Sequence, residues 1–71
     1  MSNINNDIQL DFPIPKILAG LIEEAEEADN NNSEEYGCIA EAIDNLGKEY
    51  YVTRRISRKQ WDMLCAKYPP A

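Results

Sequence analysis

The chain has 71 residues, a net charge of −6 and no histidine. A chain of that length makes one domain and buries only about 60% of its unfolded surface, so partner subunits, metals or disulfides often supply missing stability. The absent imidazole removes the usual general base and the commonest metal ligand. Cys38 and Cys65 form no Cys-x-x-Cys pair that would suit zinc.

The first residues, MSNINNDIQL, lack the basic start and apolar run of a secretion signal. No apolar segment approaches the ~20 residues that cross a bilayer. A cytoplasmic location is the expectation, with Cys38 and Cys65 as reduced thiols. Residues 1–6 are polar and expected to fray, residues 7–68 form the domain, and residues 69–71 make a short tail.

Along the chain, Ile8, Leu10 and Phe12 alternate with Asp7, Gln9 and Asp11, the period-2 pattern of a half-buried strand. Pro13 and Pro15 close it, and proline also suits a helix start. Ile14, Ile17, Leu18, Leu21, Ile22 and Ala25 then repeat at helical spacing, which predicts a helix over 14–28. Its outer face carries Glu23, Glu24, Glu26 and Glu27. Asp29 to Asn32 favour a turn.

A second helix is predicted from Ser33, capped by Asn32 or Ser33. Its stripe is Tyr36, Ile39, Ala40, Ile43 and Leu46, and Gly47 is the expected left-handed terminator. Residues 48–56 contain Tyr50, Tyr51, Val52, Thr53 and Ile56, which are β-formers, and predict a second strand. Ser57-x-x-Gln60 is a capping box with Ile56 and Trp61 as a staple. A third helix should follow over 58–67, with Trp61, Leu64, Cys65 and Tyr68 on its apolar face and Pro69 and Pro70 beyond its end. The predicted fold is α+β, a β-α-α-β-α domain with two short antiparallel strands and three helices packed on one face. Two strands make a weak sheet, which dimerisation could complete.

Few constellations carry chemistry. Asp29, Asn31 and Ser33 match the first ligand positions of a calcium loop. The required glycine and closing glutamate are replaced by Glu34 and Ala40, however. The serines and cysteines have no histidine to activate them. The three glycines form no phosphate-binding run. Neither enzymatic activity nor a cofactor or metal is expected.

Charge is the most informative feature. Up to Asn45 there are eleven acids against Lys16 alone, and from Leu46 onward six bases against Glu49 and Asp62. Such asymmetry between halves hints at a charged partner. In one reading the basic residues face the chain's own acidic helices and lower self-repulsion. In another, unlike patches join copies or dock on a basic protein. In a third, Arg54, Arg55, Arg58 and Lys59 contact nucleic acid. Arg58 and Lys59 stand at a helix N-terminus, where the dipole prefers acids and where an anion could bind.

Residues 8–46, IQLDFP with the stripe IPKILAGLIEEA and then SEEYGCIAEAI, resemble the strand–helix–helix unit of ribbon-helix-helix repressors. That resemblance implies two intertwined copies whose strands enter the major groove. Its base-reading positions would be Asp7, Gln9 and Asp11, two of which phosphate repels.

The leading expectation is a small acidic interaction module, a regulator or inhibitor that binds a basic protein partner or forms a homodimer. Glu23, Glu24, Glu26 and Glu27 form its partner face, and Tyr51, Trp61 and Tyr68 are candidate aromatic anchors. The alternative is a nucleic-acid-binding regulator using Arg55, Arg58 and Lys59. No membrane contact is expected.

Overall fold

The computed structural model describes residues 3–70. Among these the chain is all-helical: α1 spans Lys16–Asn30, α2 spans Glu35–Val52 and α3 spans Arg58–Lys67. Helix α2 is central, and α1 and α3 each pack against it. Both connections are tight reversals, so each neighbour runs antiparallel to α2. The predicted α+β architecture is therefore corrected: the described residues contain no strand, and both predicted strands have other structures.

Residues 48–52 of the second predicted strand belong to the last third of α2, and 53–56 form the turn beyond it. Its β-formers lose to tertiary packing. Tyr36, Ala40, Ile43, Gly47 and Tyr50 continue one buried stripe at spacings of three and four, and that stripe lies against both other helices. Propensity differs by less than about 1 kcal/mol per residue, whereas burying a large apolar side chain contributes about 1.5–3 kcal/mol. Leaving the helix at Gly47 would withdraw Tyr50 from the core.

Gly47 is thus no terminator. It is a buried interior residue of α2, and the side chain of Trp61 lies against it. A Cβ at position 47 would come within 2.8 Å of Trp61 Cδ1 and 3.6 Å of Leu64 Cδ1. The missing side chain lets α3 approach α2 closely enough to bury Leu64 completely.

The true end of α2 is a Schellman motif. Arg54 adopts the left-handed conformation, with φ 64°. The Arg54 N–H donates to the Tyr51 carbonyl at 3.0 Å and the Arg55 N–H to the Tyr50 carbonyl at 2.7 Å. Helix α1 ends in the same way. Asn32 has φ 52°, and the Asn32 and Ser33 N–H groups donate to the carbonyls of Asp29 and Ala28 at 3.2 and 2.8 Å. The Ser33 hydroxyl then accepts the Glu35 N–H at 3.2 Å. At α3 the capping box forms as expected: Gln60 N–H to Ser57 Oγ at 3.1 Å, and Ser57 N–H to Gln60 Oε1 at 2.8 Å.

The first predicted strand is an irregular strap. Ile4 is buried, and Leu10, Phe12 and Ile14 pack against the same core. The period-2 alternation reports the one buried side, with Ile8, Leu10 and Phe12 half-buried and Gln9 and Asp11 exposed, but the segment is no strand. A ladder would also need a neighbouring strand, and 48–52 is helical. Within the stretch expected to fray, the Asn5 N–H donates to the Lys67 carbonyl at 2.9 Å, and Lys67 Nζ donates to the Ile8 carbonyl. At the other end of the strap, the Asn3 N–H and Nδ2 donate to Asp29 Oδ1 at 2.8 and 3.3 Å. Of the expected tail, 69–71, residue 71 lies outside the described residues, and Pro69 directly follows Tyr68, which is buried.

Two stability outcomes are expected. Gly47→Ala should destabilise the fold by about 1–3 kcal/mol, because overpacking against the indole outweighs the gain in helix propensity. Arg54→Gly should stabilise it by about 1 kcal/mol, because the left-handed conformation costs an L-residue roughly that much. Urea unfolding followed by circular dichroism would measure both.

Candidate interaction surface

The antiparallel arrangement sorts the charges. The start of α1, the end of α2 and the start of α3 meet at one end of a molecule measuring 33 × 21 × 18 Å. That end holds Lys16, Lys48, Arg54, Arg55, Arg58 and Lys59, six of the seven basic residues. The end of α1 and the start of α2 meet at the opposite end. It presents Glu26, Glu27, Glu34 and Glu35, with Glu23 and Glu24 next to them midway along α1, all exposed. The sequence singles out the first four glutamates and the 54–59 bases. Lys16 and Lys48 join the basic pole only because the helices reverse direction.

The reading in which the basic segment faces the acidic helices gains no close ion pair between them from this layout. Among the described residues one ion pair forms, Arg58 Nε to Asp62 Oδ1 at 3.3 Å, within α3 itself. The poles also run against two helix dipoles. Glu26 and Glu27 lie near the C-terminus of α1, and Arg58 and Lys59 in the first turn of α3. Each such placement costs a few tenths of a kcal/mol, so helix stability does not explain the pattern.

The aromatic anchors divide. Tyr68 is 2% exposed and belongs to the core, so it does not face a partner. Tyr51 and Trp61 are half-buried against each other, with ring centroids 5.4 Å apart and planes 22° from parallel. The Arg58 guanidinium lies 5.9 Å from the Tyr51 ring centre and 5.3 Å from that of Trp61. Hydrogen bonding to Asp62, and next to Tyr51, raises the Arg58 pKa. Arg55 lies 5.6 Å from the Tyr50 ring. Arg54 and Lys59 are exposed at the same pole.

Beneath this stack sits a residue the sequence does not single out. The half-buried Asp44 accepts the Trp61 indole N–H at 3.1 Å and the Cys65 thiol at 3.0 Å, both on Oδ1. Burial, and next the bond to Asp44, push the Cys65 thiol up to about 12 from its ordinary 9.0. Burial likewise pushes the Tyr68 hydroxyl up to about 12 from 10.0, with Glu26 adding to the effect. Tyr36 is raised too, by burial and then by the charge of Asp29.

Asp29, the first position of the calcium-loop match, lies in the last turn of α1. It is buried, with its Oδ1 bonded to Asn3. Among the described residues no group of three or more acids or thiols is placed to hold a metal ion, and no helix is long and apolar enough to cross a membrane. Both cysteines are unpaired, Cys38 exposed and Cys65 half-buried.

No family model, curated protein or solved structure matches the chain. The site must therefore be judged on its own chemistry.

Cys65 and Tyr68 hold their protons more tightly when folded. Their contribution to stability is complete below the unfolded values of 9.0 and 10.0 and is lost as pH rises toward about 12. Stability should accordingly fall above about pH 9, by at most about 1.4 kcal/mol per pH unit for each group. Denaturant midpoints measured across that range would test this. With a thiol reagent at about pH 8, Cys38 should label quickly and Cys65 slowly, because the thiolate is the nucleophile.

Proposed function

We propose that the protein is a small non-enzymatic interaction module of the cytoplasm, which regulates or inhibits a basic protein partner held on its acidic pole. The observation that carries this reading is the segregation of charge. Six exposed carboxylates run from the middle of α1 to the start of α2, away from six of the seven bases. Opposed patches of this kind steer a complementary partner and suppress wrong ones. Two unpaired thiols accord with a reducing compartment.

A second reading places nucleic acid on the basic pole. It is favoured by Arg54, Arg55 and Lys59, which are exposed there and outside the one ion pair, beside the Tyr51–Trp61 stack. The net charge of −6 opposes it, since phosphate binding draws on a clearly basic footprint.

One experiment separates the two. Tagged protein is used to capture partners from lysate with and without nuclease, in parallel with a Glu23→Lys/Glu26→Lys variant and an Arg55→Ala/Lys59→Ala variant. The leading reading expects a basic protein, retained after nuclease and weakened about tenfold or more by the glutamate reversal, with an unchanged circular dichroism spectrum. Capture that survives the reversal rejects it. Material that nuclease removes and the Arg55→Ala/Lys59→Ala variant fails to bind supports the second reading. Its affinity should then fall with salt at a slope near 0.9 per phosphate contacted.

A further inference from the structure

Six of the seven bases gather at one pole, and the seventh has a different task. Lys67 ends α3, at the opposite end of that helix from the basic pole. It makes no ion pair among the described residues. Its ammonium donates instead to two main-chain carbonyls of the strap, those of Asn5 at 3.5 Å and of Ile8. The Lys67 carbonyl accepts the Asn5 N–H at 2.9 Å. One residue thus grips the strap through both its side chain and its main chain. Hydrogen bonds from an ionised donor are about twice as strong as neutral ones.

The rest of the attachment is looser. Asn3 holds the strap at the end of α1, with its N–H and Nδ2 both on Asp29 Oδ1. Ile4, Leu10, Phe12 and Ile14 supply apolar contact. The Ile8 N–H donates to the Asn5 carbonyl at 3.3 Å and the Asp7 N–H to Asn5 Oδ1 at 3.0 Å. Those two bonds lie within the strap and need not break when it leaves. Nor do the helices need it to find one another, because α1 and α3 each pack directly on α2. The junction with α1 is Pro13-Ile14-Pro15. Pro15 has φ −55° and ψ 143°, an extended conformation. Proline fixes its own φ and keeps the residue before it out of the helical region, so movement of the strap does not spread into α1.

We propose that the strap is a hinged cover, latched by Lys67, which opens as one unit about Pro13–Pro15 while the three helices stay folded, and whose closure competes with a basic partner for Asp29. Segments with few hydrogen bonds to the body open at lower free energy than the core. The competition rests on the partner reading given above; the latch does not. Ile4 and Asn6 of the strap, with Glu26, Asp29 and Asn30 of α1, wall an open depression of about 170 Å³. Asp29 is buried there while Asn3 is bonded to it. An open strap adds this carboxylate to those already exposed along α1, so a cationic partner meets one more charge. By linkage, a ligand that favours the open strap must itself open it to the same degree.

Hydrogen exchange of the full chain, read by NMR at several urea concentrations, tests both parts. The Asn5 amide should exchange about tenfold or more faster than that of Ile43 in the middle of α2, with a weaker dependence on urea. Lys67→Met should speed the Asn5 amide about tenfold further and leave Ile43 unchanged. Lys67→Arg, which keeps charge and donors, should restore the slower rate. A single rate and urea dependence for Asn5 and Ile43 overturns the latch, and so does a Lys67→Met variant that leaves Asn5 unchanged or speeds both alike. A ten-residue oligolysine peptide then serves as the basic probe. Its binding should speed the Asn5 amide. Binding to the α1 glutamates that leaves this amide unchanged overturns the competition. Failure of the peptide to bind overturns the partner reading and the competition with it, while the exchange rates still decide the latch.

Discussion

The close approach of Trp61 to Gly47 is the contact on which the arrangement of this protein depends. An indole can lie against α2 only where that helix has no side chain, and Gly47 supplies the space. The glycine costs α2 about 1 kcal/mol of helix propensity. In return Trp61 stacks on Tyr51 and donates to Asp44, and Leu64 is fully buried. A stacked aromatic pair contributes about 0.5–1.5 kcal/mol beyond its burial, and a hydrogen bond a similar net amount. The same contact explains why α2 runs through a segment rich in β-formers. Tyr51 must remain helical to meet Trp61.

With α3 seated, the remaining pieces take their places. Lys67 at the end of α3 holds the strap through the carbonyls of Asn5 and Ile8, and Asp29 at the end of α1 holds it at Asn3. The strap lays Ile4, Leu10 and Phe12 over a core that three short helices would leave open. In a 71-residue chain such a cover is a substantial share of the apolar surface removed from water. Two left-handed residues, Asn32 and Arg54, turn the chain between helices. Asn32 is a residue type that tolerates this conformation, and Arg54 is not.

The charge layout follows from those reversals. In a linear sequence, Lys16 stands in the acidic half and Lys48 before the basic cluster. Folding brings both to the pole that holds Arg54, Arg55, Arg58 and Lys59. The glutamates of α1 and those at the start of α2 come together in the same way. Two opposed poles suit a protein that acts by contact.

Much of this was legible locally. Helix α3 with its Ser57–Gln60 capping box, the apolar stripe of α1, the start of α2 near Ser33 and the acidic face of Glu23 to Glu27 depend on spacing and capping within a few residues. These are interactions that sequence neighbours make among themselves. The fate of 48–52, the role of Gly47, the use of Asp44 and the burial of Tyr68 depend on residues far away in sequence. Tyr50, Tyr51 and Val52 carry strand propensity, and the burial of Tyr50 in the core and the stacking of Tyr51 on Trp61 keep the segment helical. Alternation at Ile8, Leu10 and Phe12 correctly signalled one buried side, but whether that side meets a sheet or a helical core is a question of what lies opposite. The sequence by itself therefore determined the apolar stripes of α1 and α3, the Ser57–Gln60 capping box and the number of charges. The tertiary structure decided where α2 ends, what the strap covers and how the charges divide into poles, because each of those outcomes is set by packing between elements rather than within them.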